Sequence, residues 1–142
     1  RGWAAVSLVS HDDTGFGADG RAARLLLTAT AGGANTGLRT EPVPGKGGRR
    51  LLGLKGEWGT APYLVEGVPL SVTLKAEPAR VRCWALDPTG ARKRAVSVSA
   101  SPDGTSLVRV DPSFRTLWYE IEIAESAAVR RRAVPLDFKF KE

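Results

Sequence analysis

Val81-Arg82-Cys83-Trp84-Ala85-Leu86 and, further along, Leu117-Trp118-Tyr119-Glu120-Ile121-Glu122-Ile123 decide how this chain is read. Successive side chains on a strand point to opposite faces, so Val81, Cys83 and Ala85 fall on one side and Arg80, Arg82 and Trp84 on the other. The same rule separates Leu117, Tyr119, Ile121 and Ile123 from Trp118, Glu120 and Glu122. Each stretch therefore predicts a strand with one core face and one face that mixes indole with charge. An indole outside the core is costly to leave wet, so the pattern calls for a cover: a ligand, another domain or a segment of the same chain.

Turn chemistry frames these strands. Asp87-Pro88-Thr89-Gly90 reads as a reverse turn with proline second and glycine fourth, and Ser101-Pro102-Asp103-Gly104 repeats it. Between them Arg94 to Ala100 predicts the returning strand, and Ser106 to Val110 and Arg115 to Ile123 complete a meander. Upstream, Trp3 to Ser10 predicts a first strand and Arg24 to Thr30 a second, too short between its breakers for a typical helix of about 11 residues. Val68 to Lys75 predicts a strand with Val68, Leu70, Val72 and Leu74 on one side. Leu38 to Thr40 and Arg50 to Leu54 predict short strands, and 31–37 a turn. Residues 41–48, with two prolines and three glycines, read as a loop, and 57–63 as an irregular segment carrying Trp58 and Tyr63. In the tail, Ala127 to Ala133 has helical character, and the alternation of Leu136, Phe138 and Phe140 predicts an added edge strand beginning beside Pro135. Strands every 8–12 residues or so with turn residues between them predict an all-β fold. The expected form is a two-sheet antiparallel β-sandwich, immunoglobulin-like or jelly-roll-like, of about eight to ten strands, with residues 1–142 as one domain and 124–142 as a C-terminal extension.

The 142 residues suffice for one core without disulfide support, and the single cysteine, Cys83, falls on the core face as an inert hydrophobe. Lys and Arg number 21 against 15 Asp and Glu, a net charge of +6. That positive charge is dispersed over Arg49-Arg50, Arg92-Lys93-Arg94 and Arg130-Arg131-Arg132, with no recognised basic motif, so no nucleic-acid partner is expected. No apolar run approaches the roughly 18 residues of a membrane span, and no membrane partner is expected. The sequence contains no methionine, which leads us to expect a processed product or a segment of a longer chain.

Four phrases occur in a recognisable order: Arg24-Leu25-Leu26-Leu27-Thr28-Ala29-Thr30 with Asn35-Thr36-Gly37; Trp58-Gly59-Thr60-Ala61-Pro62-Tyr63-Leu64-Val65-Glu66-Gly67-Val68-Pro69; Trp84-Ala85-Leu86-Asp87-Pro88-Thr89-Gly90; and Thr116-Leu117-Trp118-Tyr119-Glu120-Ile121. Over residues 3–123 the chain resembles the C-terminal β-sandwich accessory domain that follows the catalytic barrel in many secreted bacterial glycoside hydrolases. Residues 41–49 and those after Ile123 lie outside that pattern. The resemblance implies an extracellular, non-catalytic module covalently linked to a catalytic domain, which either binds polysaccharide or buttresses the barrel.

Sugar recognition needs flat apolar surface for pyranose C–H faces and polar groups for hydroxyls. Two sets of residues fit. Trp84 and Trp118 would stack if their strands are neighbours, with Arg82 and Glu120 bonding hydroxyls. Trp58 and Tyr63 would stack at an end of the fold, with Glu57 beside them. The competing readings are that the 136–140 tail or a neighbouring barrel covers the first pair, and that the second plugs an open end of the core. Trp3 reads as core or edge packing. His11, Asp12, Asp13 and Asp19 lack the spacing of a calcium loop, and no metal or cofactor is expected. A single histidine, no Gly-x-Ser-x-Gly elbow and no phosphate loop argue against catalysis. Glu120 and Glu122 point the same way from one strand, a geometry that does not bracket a glycosidic bond.

Overall fold

The computed structural model describes residues 3–11, 15–17, 19–54 and 56–132. Twelve strands are present among them: β1 (Ala4–Ser10), β2 (Ala23–Ala31), β3 (Gly33–Thr36), β4 (Thr40–Pro44), β5 (Arg50–Leu54), β6 (Thr60–Val65), β7 (Leu70–Leu74), β8 (Val81–Leu86), β9 (Arg92–Val96), β10 (Val98–Ala100), β11 (Ser106–Val110) and β12 (Trp118–Ile123). One helix, α1 (Ala127–Arg132), follows. The fold is all-β and every strand pair is antiparallel.

The largest sheet has the order β1-β2-β12-β8-β9, and a three-stranded sheet has the order β10-β11-β7. Their inward side chains join in one buried cluster. Leu25 and Leu27 of β2, Cys83 and Ala85 of β8, and Tyr119 and Ile121 of β12 meet Leu74 of β7 and Val108 and Val110 of β11. Period-2 alternation is thus read out as burial: Leu25, Ala85 and Ile121 are fully buried, while Arg24, Arg82 and Glu122 between them are not. A register shift between Ala85 and Leu86 breaks the alternation, and both residues are buried. The buried hydroxyl of Ser106 donates to the Ala76 carbonyl at 2.7 Å, which removes the cost of desolvating it.

Both Asp/Gly turns form as the sequence predicts. Gly90 N–H donates to the Asp87 carbonyl at 3.0 Å, and the Asp87 carboxylate accepts from Thr89 N–H at 2.8 Å and Thr89 Oγ1 at 2.7 Å. Asp103 repeats this with Thr105. These bonds hold both carboxyls below their ordinary range, chiefly through the threonine hydroxyls.

Residues 33–65 depart from the sequence reading. The expected turn at 31–37 contains β3, the expected loop at 41–48 contains β4, and the irregular segment around Trp58 runs into β6. β3 pairs with β6, and β4 pairs with β5 beyond them, so the segment is a pair of nested hairpins. The Arg39 N–H to Glu57 carbonyl bond, 3.2 Å, links the two tiers. Gly59 (φ 72°) is required here, because a Cβ would collide with the Thr36 carbonyl and lie 2.7 Å from the Leu38 nitrogen. No residue of β3, β4, β5 or β6 is buried. With both faces of a two-stranded ribbon wet, nothing imposes an apolar period on the sequence, and the prolines and glycines read as loop. β5 forms where a short strand is expected at 50–54, whereas of the one expected at 38–40 only residue 40 lies in a strand, and β3, β4 and β6 raise the strand number above the expected eight to ten. The returning strand expected at 94–100 is likewise divided, into β9 in one sheet and β10 in the other. The helical character read at 127–133 is present as α1, and the edge strand expected at 136–140 lies outside the described residues. No helix among the described residues is long and apolar enough to cross a membrane.

The prolines of β4 have a place in the ladder. Gly45 N–H bonds to the Arg49 carbonyl at 2.8 Å. Bonded and non-bonded pairs alternate along antiparallel strands, so the amide positions of residues 40, 42 and 44 face away from β5. Pro42 and Pro44 therefore remove two of the donors on an open edge, a device against strand addition. A Pro42→Thr/Pro44→Thr double variant is expected to self-associate, with the sedimentation profile shifting from monomer toward higher species as concentration rises. An unchanged monomer profile would show that the edge is protected by other means.

Candidate functional site

β12 lies between β2 and β8, with Glu120 opposite Trp84 and Glu122 opposite Arg82. Trp84 and Trp118 thus share the outer face of the five-stranded sheet, two residues apart in register, as diagonal neighbours. Their surroundings differ. The Arg92 guanidinium carbon sits 3.7 Å from the centroid of the Trp84 ring, a cation–π lid, and Trp84 is half-buried. Trp118 remains 38% exposed.

The glutamates bond to arginines other than Arg82, which lies opposite Glu122 in register. Arg24 Nη2 of β2 donates to Glu120 Oε1 at 2.6 Å, and Arg92 Nε of β9 donates to Glu120 Oε2 at 2.6 Å. Arg92 Nη2 also donates to Glu122 Oε1. Glu120 is buried, yet the Arg92 hydrogen bond first, and then Arg24, outweigh desolvation and pull its carboxyl down to about 2. The same contacts raise both arginines. This Arg24–Glu120–Arg92–Glu122 network leaves Glu120 little capacity for a sugar hydroxyl. Sequence reading missed Arg24 and Arg92, because only the strand order β2-β12-β8-β9 brings them to the glutamates. Arg82 stands at the far end of β12, beside Arg80, Glu122 and Ala124.

The structure instead brings Trp118 to Tyr63, one member of each expected pair. Both line an open groove of about 430 Å³ whose other walls include Pro88, Pro112, Arg115 and Thr116. The Asp87–Gly90 turn supplies Pro88. The 3-10 turn Pro112–Phe114 supplies Pro112 and leads into Arg115, and Asp111 caps it by accepting from Ser113 N–H at 2.7 Å. The Tyr63 ring lies across Gly33 of the paired strand, where a Cβ would fall 2.6 Å from its hydroxyl, and it stays 62% exposed. Trp118 and Pro88 also border a second depression of about 420 Å³ with His11, Arg24 and Glu120, so these two side chains form a wall common to both.

Trp58 is exposed on the nested hairpins, its carbonyl accepting from Asn35 Nδ2 at 3.0 Å, and it is not a wall of the Tyr63–Trp118 groove. Glu57 beside it pairs with Arg39 at 3.1 Å in solvent. Neither Trp58 nor Tyr63 plugs the core. Trp3, expected as core or edge packing, is exposed ahead of edge strand β1.

Cys83 is buried and its thiol is pushed up to about 12, chiefly by desolvation, which makes it unreactive. No group of three or more His, Cys, Asp or Glu side chains converges among the described residues, of which Asp12 and Asp13 are not part. Comparison with known proteins gives no matching family model, no matching curated protein and no matching solved structure.

Proposed function

We propose that the chain is a non-catalytic accessory module of a secreted carbohydrate-active enzyme and binds polysaccharide in the groove between Tyr63 and Trp118. The observation that carries this reading is the groove itself: two exposed aromatic rings on one concavity, with the Thr116 hydroxyl and the Arg115 guanidinium as polar groups. Aromatic rings offer the flat apolar surface that a pyranose face requires, and the polar groups orient hydroxyls. Among the described residues the walls include no carboxylate, and Glu120 and Glu122 are held by arginines, which supports binding over acid–base hydrolysis. Bound to polymer, the module would raise the effective concentration of substrate around a covalently linked catalytic domain. Affinity electrophoresis of the domain against a polysaccharide panel tests this. Retardation by at least one glycan, weakened on removal of either ring, is expected; mobility unchanged on every glycan would overturn it.

A second reading concerns the nested hairpins. Leu52, Leu54, Pro42 and Pro44 lie on one face of the β4–β5 ribbon by register, and Leu52 is 74% exposed. Aliphatic side chains do not stack on sugars, and exposed apolar patches of this kind mark protein contacts. The proposed occupant is the linked catalytic domain. A Leu52→Lys/Leu54→Lys variant is expected to keep the domain's own melting temperature within about 2 °C, since surface substitutions away from packed features cost little. It should lose the stabilisation conferred by the catalytic domain supplied in trans. Stabilisation equal to that of the parent domain would remove the docking role.

A further inference from the structure

The identity of residue 115 narrows the glycan. Among the described residues, Arg115 is the only non-glycine with a positive φ (51°, ψ 45°). This left-handed conformation is strained for an L-residue, and glycine adopts it freely. The turn imposes it, through the Arg115 N–H to Pro112 carbonyl bond of 3.1 Å and the Phe114 N–H to Asp111 carbonyl bond of 3.2 Å. A side chain at this position has to bring something that glycine lacks, and here it brings a cation.

Among the described residues, Arg115 is the sole charged residue on the walls of the Tyr63–Trp118 groove. The other arginines near this end of the sheet have partners of their own. Arg24 and Arg92 hold Glu120, and Arg94 lies 4.0 Å over the Phe114 ring. Arg115 pairs with no carboxylate among the described residues, and it is exposed. A planar guanidinium with several donors fits the two oxygens of a carboxylate or sulfate in a way that a lone hydroxyl does not match.

We infer that the groove selects anionic glycans, with Arg115 receiving the carboxylate of a uronic acid or the sulfate ester of a sulfated sugar while Tyr63 and Trp118 hold the rings. This rests on the glycan-binding reading above. The polyanion attraction of a net charge of +6 is a different effect, spread over the surface and independent of the groove.

Affinity electrophoresis with matched polymers separates the cases. Polygalacturonate is compared with its methyl ester, and a sulfated galactan with its desulfated form, at about 0.15 M salt, where charges a Debye length of about 8 Å apart are largely screened. The parent domain is expected to bind one acidic member about tenfold more tightly than its neutral counterpart, a gain of the size that one charge-assisted bidentate contact provides. The pair that shows the gain tells carboxylate from sulfate. Arg115→Gly should erase the acidic preference, bringing the acidic polymer down to the affinity of its neutral counterpart, while the melting temperature stays intact or improves, since glycine suits the backbone. Arg49→Ser/Arg50→Ser, far along the sequence on the β4–β5 hairpin, should leave the preference in place. Equal binding of acidic and neutral members with Trp118 still required would overturn the role of Arg115 and spare the glycan site. An acidic preference lost equally in the Arg49/Arg50 variant would assign it to bulk charge and also overturn the inference. Binding to no polymer at all would overturn the glycan reading on which the inference depends.

Discussion

A Trp118→Ala variant is expected to migrate freely through every polysaccharide gel that retards the parent domain, a loss of at least about tenfold in affinity. The ring is a wall of both depressions on this end of the sheet, so its removal opens the two into one shallow surface. Stacking on one aromatic ring contributes on the order of 1 kcal/mol beyond the area it covers, and burying an aromatic face against a sugar adds the hydrophobic share at about 25 cal/mol per Å². Tyr63→Ala should act in the same direction with a smaller loss, because that ring borders only the first groove among the depressions Trp118 lines. Trp118→Phe keeps a flat face and is expected to recover most of the affinity, which separates loss of stacking from damage to β12. Circular dichroism and thermal melting of each variant check that the sheet persists. Full retardation of a folded Trp118→Ala domain would eliminate the groove as the glycan site.

The largest effect on stability is expected at Glu120. Glu120→Gln removes the charge that holds Arg24 and Arg92 across three strands, β2, β12 and β9. Hydrogen bonds to charged groups contribute roughly 1.5–3 kcal/mol each, but both guanidiniums are substantially solvated and can rehydrate. The balance is a loss of about 2 kcal/mol, or a melting temperature lower by roughly 7 °C for a chain of this size. Glu122→Gln, at a more exposed carboxylate, should cost less than about 1 kcal/mol.

The same carboxyl predicts a pH dependence with a definite sign. Its pKa in the folded protein is depressed to about 2, while an unfolded glutamate titrates near about 4.3. The unfolded state therefore takes up a proton first as pH falls, and stability decreases from the ordinary carboxylate range down through about 2. Above that range the full contribution is present. Melting temperatures measured between neutral pH and pH 2 should fall less steeply for Glu120→Gln than for the parent, so that the two curves converge in acid. Parallel curves would show that the network adds nothing specific.

The core strands were legible because one of their faces is dry and the other is not. Val81, Cys83 and Ala85, and Tyr119, Ile121 and Ile123, are buried as the alternation predicts, and both Asp/Gly turns close where their residues place them. Of the hairpins at 33–65 only β5 was legible, and the rest was not for the converse reason: a ribbon with two wet faces needs no apolar period, and its prolines protect an edge where they read as loop. The site was half legible. The indoles were correctly assigned to the charged face, and the pairing of β8 with β12 made Trp84 and Trp118 neighbours in register. Nothing in the sequence told which of them Arg92 would cover, since that follows from β9 lying next to β8. The meeting of Tyr63 with Trp118 depends on the 65–70 connection bringing β6 beside the turns at 88 and 112, a long-range contact without local signal.

The guanidinium lid over Trp84 also bears on how this domain is to be watched in solution. Trp3, Trp58 and Trp118 all face water while one indole is sheltered, so the intrinsic emission of the native protein will already lie toward the red, and unfolding will change it little. Iodide, which reaches exposed rings, should quench most of that light, and a sugar seated against Trp118 should shield one share of it. Fluorescence is thus a poor reporter of folding for this chain and a sensitive one for occupancy.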